Sequence, residues 1–270
     1  MLIVAATPIG NLGDHTPRLI DTLASAALIV AEDTRTTKKL ISALGISTSA
    51  DFMPLHEHNE NDQIDKVLAV AASATVVVVS DAGMPGISDP GFALVREAHR
   101  RQIGVSPLPG PSAVISALSA SGLPTDRFSF EGFIPKKGKS GALSALATEK
   151  RTMVFFESPH RLADTLVVMA DVFGPDRMAC VARELTKMFE EVRTDTLARL
   201  AEHYAEGTKG EITLVLEGFH GHDVSFDQAV AEASQRVASG ERASDVAREI
   251  AKDTGYSKRE LYSALLGGDA

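Results

Sequence analysis

The sequence predicts an α/β protein with two α/β domains, a mostly parallel sheet followed by a mixed sheet, and a C-terminal helical tail of the helix-turn-helix type. The chain of 270 residues exceeds the usual size of a single domain. In its first half, short apolar runs alternate with helical patterns, as in parallel α/β folds. A proline-rich segment at 107–111 interrupts this alternation, and the second half continues with a different strand pattern. We therefore expect a domain boundary there.

The first domain, predicted over residues 1–108, is defined by continuously apolar strands. The four valines of 76–79 have no polar face, which indicates a strand covered on both sides, as in a parallel sheet. Thr16 and Pro17 form a typical helix start, a capping hydroxyl followed by proline. The patterns predict strands at 2–6, 28–31, 76–80 and 105–108, and helices at 17–26, 35–44, 61–74 and 92–101.

The second domain is predicted over residues 109–220. The segment 188–194 alternates polar and apolar residues and follows closely on the run 178–183, which favours an antiparallel hairpin. A hairpin of this kind predicts a mixed sheet. The predicted strands are 128–130, 153–156, 178–183, 188–194 and 212–217.

The tail, residues 224–270, reads as three helices at 226–239, 243–253 and 257–266. The last two are joined by a glycine-containing turn, which predicts a helix-turn-helix, although any helical hairpin gives much the same pattern. Ser257 and Glu260 have the spacing of a capping box. The tail has six cations and eight carboxylates, so it cannot bind phosphate by bulk charge, and any contact with a nucleic acid would come from individual side chains such as Lys258 and Arg259.

Net charge is −9, which is unusual for a protein that binds nucleic acid, because phosphate contacts dominate such affinity. The charge is uneven, however: residues 127–161 contain seven cations and three carboxylates. We expect RNA contacts to concentrate in this basic segment, and a solvated charged surface is the alternative. The RNA-binding candidates there are Lys136, Lys137, Lys139 and Arg161.

The chain has no recognisable export signal or membrane segment. The apolar start at 2–6 lacks a preceding basic region, and the stretch 67–79 is too short to span a bilayer. The single cysteine, Cys180, has no partner for an intrachain disulfide. These features predict a cytoplasmic protein without membrane contact.

A loop rich in glycine and proline is the strongest candidate site. Residues 80–91 follow the buried strand and include three glycines and two prolines, at the strand end where α/β proteins bind ligands. Asp81 is placed to accept hydrogen bonds from a hydroxyl or an amine. The loop does not match the dinucleotide fingerprint G-x-G-x-x-G. A tight strand-to-helix connection is the alternative to a binding loop.

Two further loops are predicted to join it. Residues 7–14 follow the first strand, and residues 109–113 open a helix whose free N–H groups can bind a carboxylate. Because all three loops follow strands, we expect them to converge in one cleft.

Two other motifs resemble a phosphate-binding loop and a metal site, but their residue spacing does not fit either function. The segment 132–140 approaches a phosphate-binding P-loop, but it has one residue too many between its glycines, and Pro135 removes an amide donor. His56 and His58 share a face in an extended segment, yet no third ligand stands nearby. We therefore predict neither nucleotide hydrolysis nor a metal site.

Together with residues 157–161 and 182–187, these loops resemble the tetrapyrrole methylase superfamily. The resemblance covers nearly the whole chain, through 6–14, 32–35, 56–60, 80–91 and 210–218, and is greatest to the members that methylate ribosomal RNA. It implies transfer of a methyl group from S-adenosylmethionine to the ribose 2′-hydroxyl of a cytidine in 16S rRNA of the small ribosomal subunit. It also implies a homodimer with the cofactor between the domains of each chain.

Carried over onto this sequence, the resemblance gives a set of cofactor contacts. Two positions depart from the superfamily: Thr7-Pro8-Ile9 replaces a glycine-rich run, and Phe156 replaces a methionine. Both departures argue against a tetrapyrrole acceptor. Methylation of a tetrapyrrole and a non-catalytic RNA-binding role are the alternative functions. The implied cofactor contacts are Thr7, Pro8, Asp81, Gly83, Met84, Gly86, Ile87, Ser112, Ala113, Phe156, Leu185 and Ile212.

The implied reaction needs an aligned acceptor and a proton acceptor. Alignment can contribute about 7–11 kcal/mol, and a base about 10²–10⁴ in rate, because a ribose hydroxyl is a weak acid. The candidate bases are Asp33, which follows the predicted strand 28–31, and His56 and Glu57, interpreted as polar residues at a strand end; Arg35 would orient a phosphate or carboxylate. For Asp33, capping of the following helix is an equally good interpretation.

Overall fold

The protein folds around two five-stranded sheets. The computed structural model describes residues 1–56, 58–221, 225–254 and 256–265. The first sheet has the order β3-β2-β4-β1-β5 with all neighbours parallel, and the second has the order β6-β7-β10-β8-β9. The predicted class, a parallel sheet followed by a mixed sheet and helices, is confirmed.

The valine strand lies at the centre of the first sheet, as its apolar sequence predicts. Helices α1 and α2 cover one face of the sheet, and α3 and α4 cover the other, so that each face has its own apolar core. The strands are β1 Leu2–Ala5, β2 Leu28–Ala31, β3 Asp51–Pro54, β4 Val76–Val79 and β5 Val105–Leu108. The helices are α1 Pro17–Ser25, α2 Thr34–Ala43, α3 Glu60–Ala71 and α4 Phe92–Arg100.

The second sheet is mixed because β10 runs antiparallel to both of its neighbours, whereas β6 and β7 are parallel. The β8–β9 pair is the predicted antiparallel hairpin. The strands are β6 Phe128–Phe133, β7 Thr152–Glu157, β8 Met178–Arg183, β9 Glu191–Thr196 and β10 Ile212–Leu216. Helices α6 Lys139–Ser144, α7 Leu162–Phe173 and α8 Leu197–His203 accompany them.

The prediction that β9 begins at residue 188 was wrong. Glu184 and Thr186 have left-handed backbones (φ 51° and 66°), and the chain turns there before the strand starts at Glu191. Met188 and Phe189 consequently lie outside the sheet, with 89% and 67% of their surface exposed.

The proline-rich segment carries the chain from one sheet to the other. It leaves the first sheet after Leu108 and enters α5, Ala113–Ala120, which packs on β7 and β10 of the second sheet. At Gly110 a Cβ atom would lie 2.9 Å from the Cβ of Ala6, closer than side chains normally approach. The crossing is therefore tight, and it holds the start of α5 against the end of β1.

The tail forms three helices with an apolar cluster of their own: α9 Phe226–Ala238, α10 Ala243–Thr254 and α11 Lys258–Leu265. A complete capping box stands at Ser225 and Gln228. At the predicted box, the Ser257 hydroxyl accepts the Glu260 N–H at 3.5 Å. Within the described ranges, none of the helices is long and apolar enough to cross a membrane.

Candidate functional site

A cavity of about 440 Å3 lies where the strand-end loops of the first sheet meet the second sheet. Its size falls in the lower part of the range of small-molecule sites. The first half of the chain contributes Ile9, Glu32, Asp81, Ala82, Gly83, Met84, Ile87, Ser88 and Asp89. The rest of its wall is Ser112, Ala113, Val114, Phe133, Phe156, Glu157, Ser158, Pro159, Gly210, Glu211, Ile212 and Thr213.

A short backbone bridge fixes the loop after β4 against the loop after β1. The N–H of Thr7 donates to the Gly83 carbonyl at 2.9 Å, and the Gly83 N–H donates back at 3.1 Å. The buried Thr7 hydroxyl donates to the Ser80 carbonyl. Gly83 has a φ of 80°, a conformation that glycine adopts without strain. The two loops therefore form one rigid edge of the cavity.

The far end of the β4 loop is fixed by a carboxylate from α3. Glu60 accepts the N–H groups of Gly91 and Leu94, both at 3.1 Å, at the start of α4. This interaction caps a helix whose preceding residue, Gly91, has no side chain to do so. Ser88, just before Asp89, is held in the left-handed region (φ 64°). The backbone that presents Asp89 to the cavity is thus constrained on both sides.

Three carboxylates from the first half face this cavity. The Asp81 N–H donates to Glu32 at 3.3 Å, and the Asp33 N–H donates to Asp81 Oδ1 at 3.2 Å. Burial raises the pKa of Asp81. Burial, and secondarily the nearby Glu32, raises the pKa of Asp89 to about 6. Among the described residues, Glu32, Asp81 and Asp89 have no ion-pair partner, so the cavity favours a positively charged ligand.

The carboxylates of the opposite wall each have a cation partner. Glu157 is fully buried and accepts the Thr165 hydroxyl and the Ser158 N–H, both at 2.6 Å, and it pairs with Arg161. Glu211 pairs with Lys187 at 3.0 Å. This wall therefore contributes shape and apolar surface, mainly from Phe156, rather than free charge.

The cavity brings together eight of the twelve cofactor contacts that the resemblance implies. Thr7 lies buried beneath the bridge, Pro8 lines a neighbouring cavity, and Leu185 packs on the apolar cluster under α5. Gly86 shapes the loop with a φ of 82°. The eight lining residues are Asp81, Gly83, Met84, Ile87, Ser112, Ala113, Phe156 and Ile212.

Three of the four predicted catalytic residues, Asp33, Arg35 and His56, do not line this cavity. Asp33 caps α2 by accepting the Arg35 N–H at 2.8 Å, and its carboxylate also pairs with the Arg35 guanidinium. The Arg35 hydrogen bond lowers the pKa of Asp33 to about 2. His56 is exposed and follows β3, the outermost strand of its sheet. Glu57 lies outside the described residues.

The predicted RNA contacts divide into free and paired cations. Lys136 and Lys137 are exposed, as are Lys258 and Arg259 at the start of α11. The Lys139 ammonium, by contrast, is bound by Asp164 and Thr165, at 2.6 and 2.7 Å. Arg161 pairs with Glu157 and donates to the Ile134 carbonyl at 2.9 Å. The described part of the chain contains no group of side chains arranged to hold a metal ion.

Sequence reasoning missed Glu32 and Asp89, two of the three cavity carboxylates that form no ion pair among the described residues. Asp89 lies inside the candidate loop. The residues on either side of it, Ser88 and Pro90, are typical of turns and could have indicated that it is held in place. Glu32 directly follows β2, which pairs with β4, and the carboxyl ends of adjacent parallel strands meet at one edge of a sheet.

A family model described as Tetrapyrrole (Corrin/Porphyrin) Methylases matches residues 1–201, which include both sheets up to β9 and most of the cavity. The chain belongs to this family. Its methylases take their methyl group from S-adenosylmethionine.

Curated members with a more specific name match nearly the whole chain. A protein of Xylella fastidiosa is 42% identical over 97% of this chain and 97% of its own length. One of Mycobacterium bovis is 44% identical over 98% of this chain and 94% of its own length. Both are called ribosomal RNA small subunit methyltransferase I.

Solved structures share the fold of this tetrapyrrole methylase chain. A diphthine synthase aligns with a TM-score of 0.61 at 15% identity, over 80% of this chain and 89% of its own. The methyltransferase CobJ aligns with a TM-score of 0.59 at 21% identity, over 83% of this chain and 96% of its own. These likenesses concern the fold alone.

The residues of the cavity fit the family's methyl donor. S-adenosylmethionine has a sulfonium and an ammonium, and the cavity presents three carboxylates without cations. Its adenine needs an apolar slot, which Met84, Ile87, Phe156 and Ile212 supply. The N–H groups at the start of α5, at Ser112 and Ala113, are suited to a carboxylate.

Proposed function

We propose that this chain methylates the 2′-hydroxyl of a cytidine ribose in 16S rRNA of the small ribosomal subunit, with S-adenosylmethionine as the donor. The observation that carries the proposal is identity of 42–44% to ribosomal RNA methyltransferases over 97–98% of the chain. The family model ends at residue 201. The alignment with these relatives therefore includes the helical tail, which the general fold does not require.

Bound donor would supply a methyl group that is already electrophilic, because it stands on a positively charged sulfur. The chain's own task is to bind the donor, to exclude water and to remove the proton of the acceptor hydroxyl. We propose that Asp89 and Glu32 balance the donor's positive charge. The apolar residues Met84, Phe156 and Ile212 would hold its flat ring.

The exposed cations support an RNA acceptor. Lys136 and Lys137 precede α6, and within the described ranges no carboxylate neutralises them. Lys258 and Arg259 begin the last helix of the tail. We propose that these four side chains contact RNA phosphates. Lys139 and Arg161 instead have internal partners, so they support the fold around the basic segment.

The remaining parts of the proposal concern assembly. We propose domains at 1–108 and 109–220 with a tail at 224–270, and a homodimer that works in the cytoplasm on ribosomal subunits.

Met188 and Phe189 form an exposed apolar pair beside β9, an edge strand of the second sheet. Such a surface is typical of an interface. Analytical ultracentrifugation should give twice the mass of one chain, and a Met188→Asp variant should shift toward the monomer.

Methyl transfer to isolated ribosomal subunits tests the function directly. Small subunits from cells that lack this enzyme are incubated with the protein and methyl-labelled S-adenosylmethionine. We expect one label per subunit, in 16S rRNA, on a nucleotide whose 3′ bond resists alkali because its 2′-oxygen is blocked. Naked 16S rRNA and a tetrapyrrole are the parallel acceptors. Label on a base, or on the tetrapyrrole alone, would overturn the proposal.

A further inference from the structure

A second cavity, of about 290 Å3, adjoins the first across Asp81. It lies between the loop after β1 and helix α2, entirely within the first half of the chain. Asp81 lines both cavities, so a ligand in either one is in contact with the same residue. The lining residues are Pro8, Gly10, Leu12, Thr36, Thr37, Lys39, Leu40, Ala43, Ser80 and Asp81.

The wall formed by α2 differs in charge from the rest of the molecule. The protein carries a net charge of −9, yet α2 has three cations and no carboxylate. Lys39 lines the second cavity. Arg35 stands one turn earlier but is paired with Asp33, so Lys39 is the cation that this wall offers to a ligand. An anionic ligand is therefore favoured at this rim, in contrast to the carboxylate-rich cavity on the other side of Asp81.

The chemistry of the lining suits a nucleotide. Leu12, Leu40 and Pro8 offer apolar surface for the face of a base, and the Thr36 side chain, which is hydrogen-bonded to Asp81, adds a polar edge. Sequence-specific RNA recognition usually targets single-stranded segments, whose unstacked bases are held against side-chain faces and hydrogen-bonded at their edges. The volume is near the lower bound for a small-ligand site, as expected for one nucleotide and not for a tetrapyrrole.

We propose that this second cavity receives the acceptor nucleotide of a single-stranded RNA segment, with Lys39 at its phosphate and Asp81 at its ribose. The inference rests on the proposed function and adds the place where the acceptor binds. Asp81 then lies beside the point where the two reactants meet. The new bond joins the ribose 2′-oxygen to the methyl carbon, the bond from carbon to sulfur breaks with its electrons left on sulfur, and the hydroxyl proton passes to the Asp81 carboxylate.

The surroundings of Asp81 support this role. Its Oδ1 accepts the Asp33 N–H, and its own N–H is held by Glu32, so the carboxylate has a fixed position. Burial raises its pKa, which brings the group closer to the basicity that proton removal requires. The charged groups that face it are Glu32, Asp33, Arg35 and Asp89.

Filling the cavity tests the proposal. Ala43→Trp places an indole in the second cavity, whereas Ser42→Trp adds the same group at the adjacent exposed residue, which does not line it. For Ala43→Trp we expect kcat/KM for small subunits to fall about 100-fold. The dissociation constant of S-adenosylmethionine, measured by calorimetry, should stay within about twofold. Ser42→Trp should match the wild type in both measurements.

A charge pair gives a second, independent readout. Lys39→Glu should weaken binding of an RNA oligonucleotide spanning the methylated site and flatten its salt dependence. Lys38→Glu is the matched control, because the Lys38 ammonium lies 4.8 Å from the centre of the Phe52 ring and does not line the cavity. Equal losses in the two lysine variants, or wild-type kcat/KM in Ala43→Trp, would overturn the acceptor site. A wild-type protein that methylates no RNA would instead refute the proposed function.

Discussion

The two halves of the molecule contribute carboxylates of opposite character to one cavity. Glu32, Asp81 and Asp89 follow strands of the first sheet and form no direct ion pair in the described residues, although Arg35 lies near enough to Asp81 to interact with its charge. Glu157 and Glu211 come from the second half, and each is paired with a cation. The first group is available to a ligand, whereas the second maintains the wall. Residue type alone therefore does not identify a functional carboxylate; its partners do.

The difference follows from position in the two sheets. The carboxylates of the first half stand in loops beyond parallel strands, where the chain has already made its backbone hydrogen bonds and ligands usually bind. Glu157 ends a strand and is covered by α7, which supplies Thr165. A charge buried in this way requires partners, since desolvation without them is costly.

Asp81→Asn should have the largest effect of any change in this cavity. An amide keeps the shape of the side chain but cannot accept a proton, so kcat should fall by about 10²–10⁴. The dissociation constant of S-adenosylmethionine should change much less. Single-turnover methylation and calorimetry on the same protein separate the two quantities. A normal kcat would contradict the role of the unpaired carboxylates.

Glu157→Gln should affect stability rather than chemistry. It leaves the Arg161 charge without its carboxylate, and two nitrogens of that guanidinium, Nε and Nη1, already lack hydrogen-bond partners in the structure. Removing one partner of a buried pair costs about 3–5 kcal/mol. Urea unfolding should show this loss, and the double variant Glu157→Gln/Arg161→Met should recover part of it. If the single variant is as stable as the wild type, the paired carboxylate does not support the wall.

Asp89 predicts a pH dependence of donor binding. Its pKa of about 6 in the ligand-free protein means that the carboxylate is largely neutral at pH 5 and ionised at pH 7. A cationic donor favours the ionised form, so affinity for S-adenosylmethionine should rise about tenfold between these values. Calorimetry across pH 5–7 measures it. Asp89→Asn should flatten the dependence.

The raised pKa of Asp89 also predicts how the stability of the ligand-free protein depends on pH. Because its folded pKa lies above the ordinary value of 3.8, the ionised form opposes folding. The free energy of unfolding of the ligand-free protein should therefore contain a contribution that is greatest below pH 4 and is lost as the pH rises through 6. In Asp89→Asn this contribution should be absent. An opposite slope would mean that Asp89 has a cation partner in solution.

Most of the fold could be predicted because the central strands have a strong sequence signal. The valines of β4 and the apolar run of β2 are covered on both faces, which leaves no polar alternation to obscure them. The edge strand β3, Asp51–Pro54, was missed. It has one partner, only partial burial and a proline at its end, so its sequence resembles a loop.

The site could be predicted only in part, because the chemistry of a side chain depends on interactions between distant segments. The loop 80–91 was identifiable from its glycines and prolines. The partners that decide the state of each charge were not: Asp164 binds Lys139 from 25 residues away. Likewise, Glu60 caps α4 from a different helix. Such pairings follow from the tertiary structure, which no local pattern encodes.

The basic segment 127–161 should contribute a smaller, salt-dependent part of the affinity for RNA. Lys136→Ala/Lys137→Ala should reduce the slope of log affinity for RNA against log salt by about 0.7 for each phosphate of a single strand that the lysines no longer neutralise. Lys139→Ala is the comparison, since its ammonium is occupied by Asp164 and Thr165. That variant should lose stability and keep the slope. If Lys139→Ala alone changes the slope, the distinction between free and paired cations fails.

Asp33→Asn should have the smallest effect, although Asp33 adjoins Asp81. Asparagine caps a helix about as well as aspartate, so α2 should keep its start. The lost ion pair with Arg35 is largely exposed and contributes little. Because the pKa of Asp33 is lowered to about 2, its contribution to stability is present above pH 4 and disappears as the pH falls toward 2.

Activity then decides between the two interpretations of Asp33. A helix cap predicts that Asp33→Asn keeps kcat and a thermal midpoint within about 2 °C of the wild type at pH 7. Asp33→Ala, which removes the cap as well, should unfold at a lower temperature. A catalytic base would instead lose kcat in both variants by the factor expected for Asp81. Since the Asp33 N–H holds Asp81 Oδ1 and its carboxylate is occupied by Arg35, we expect the first outcome.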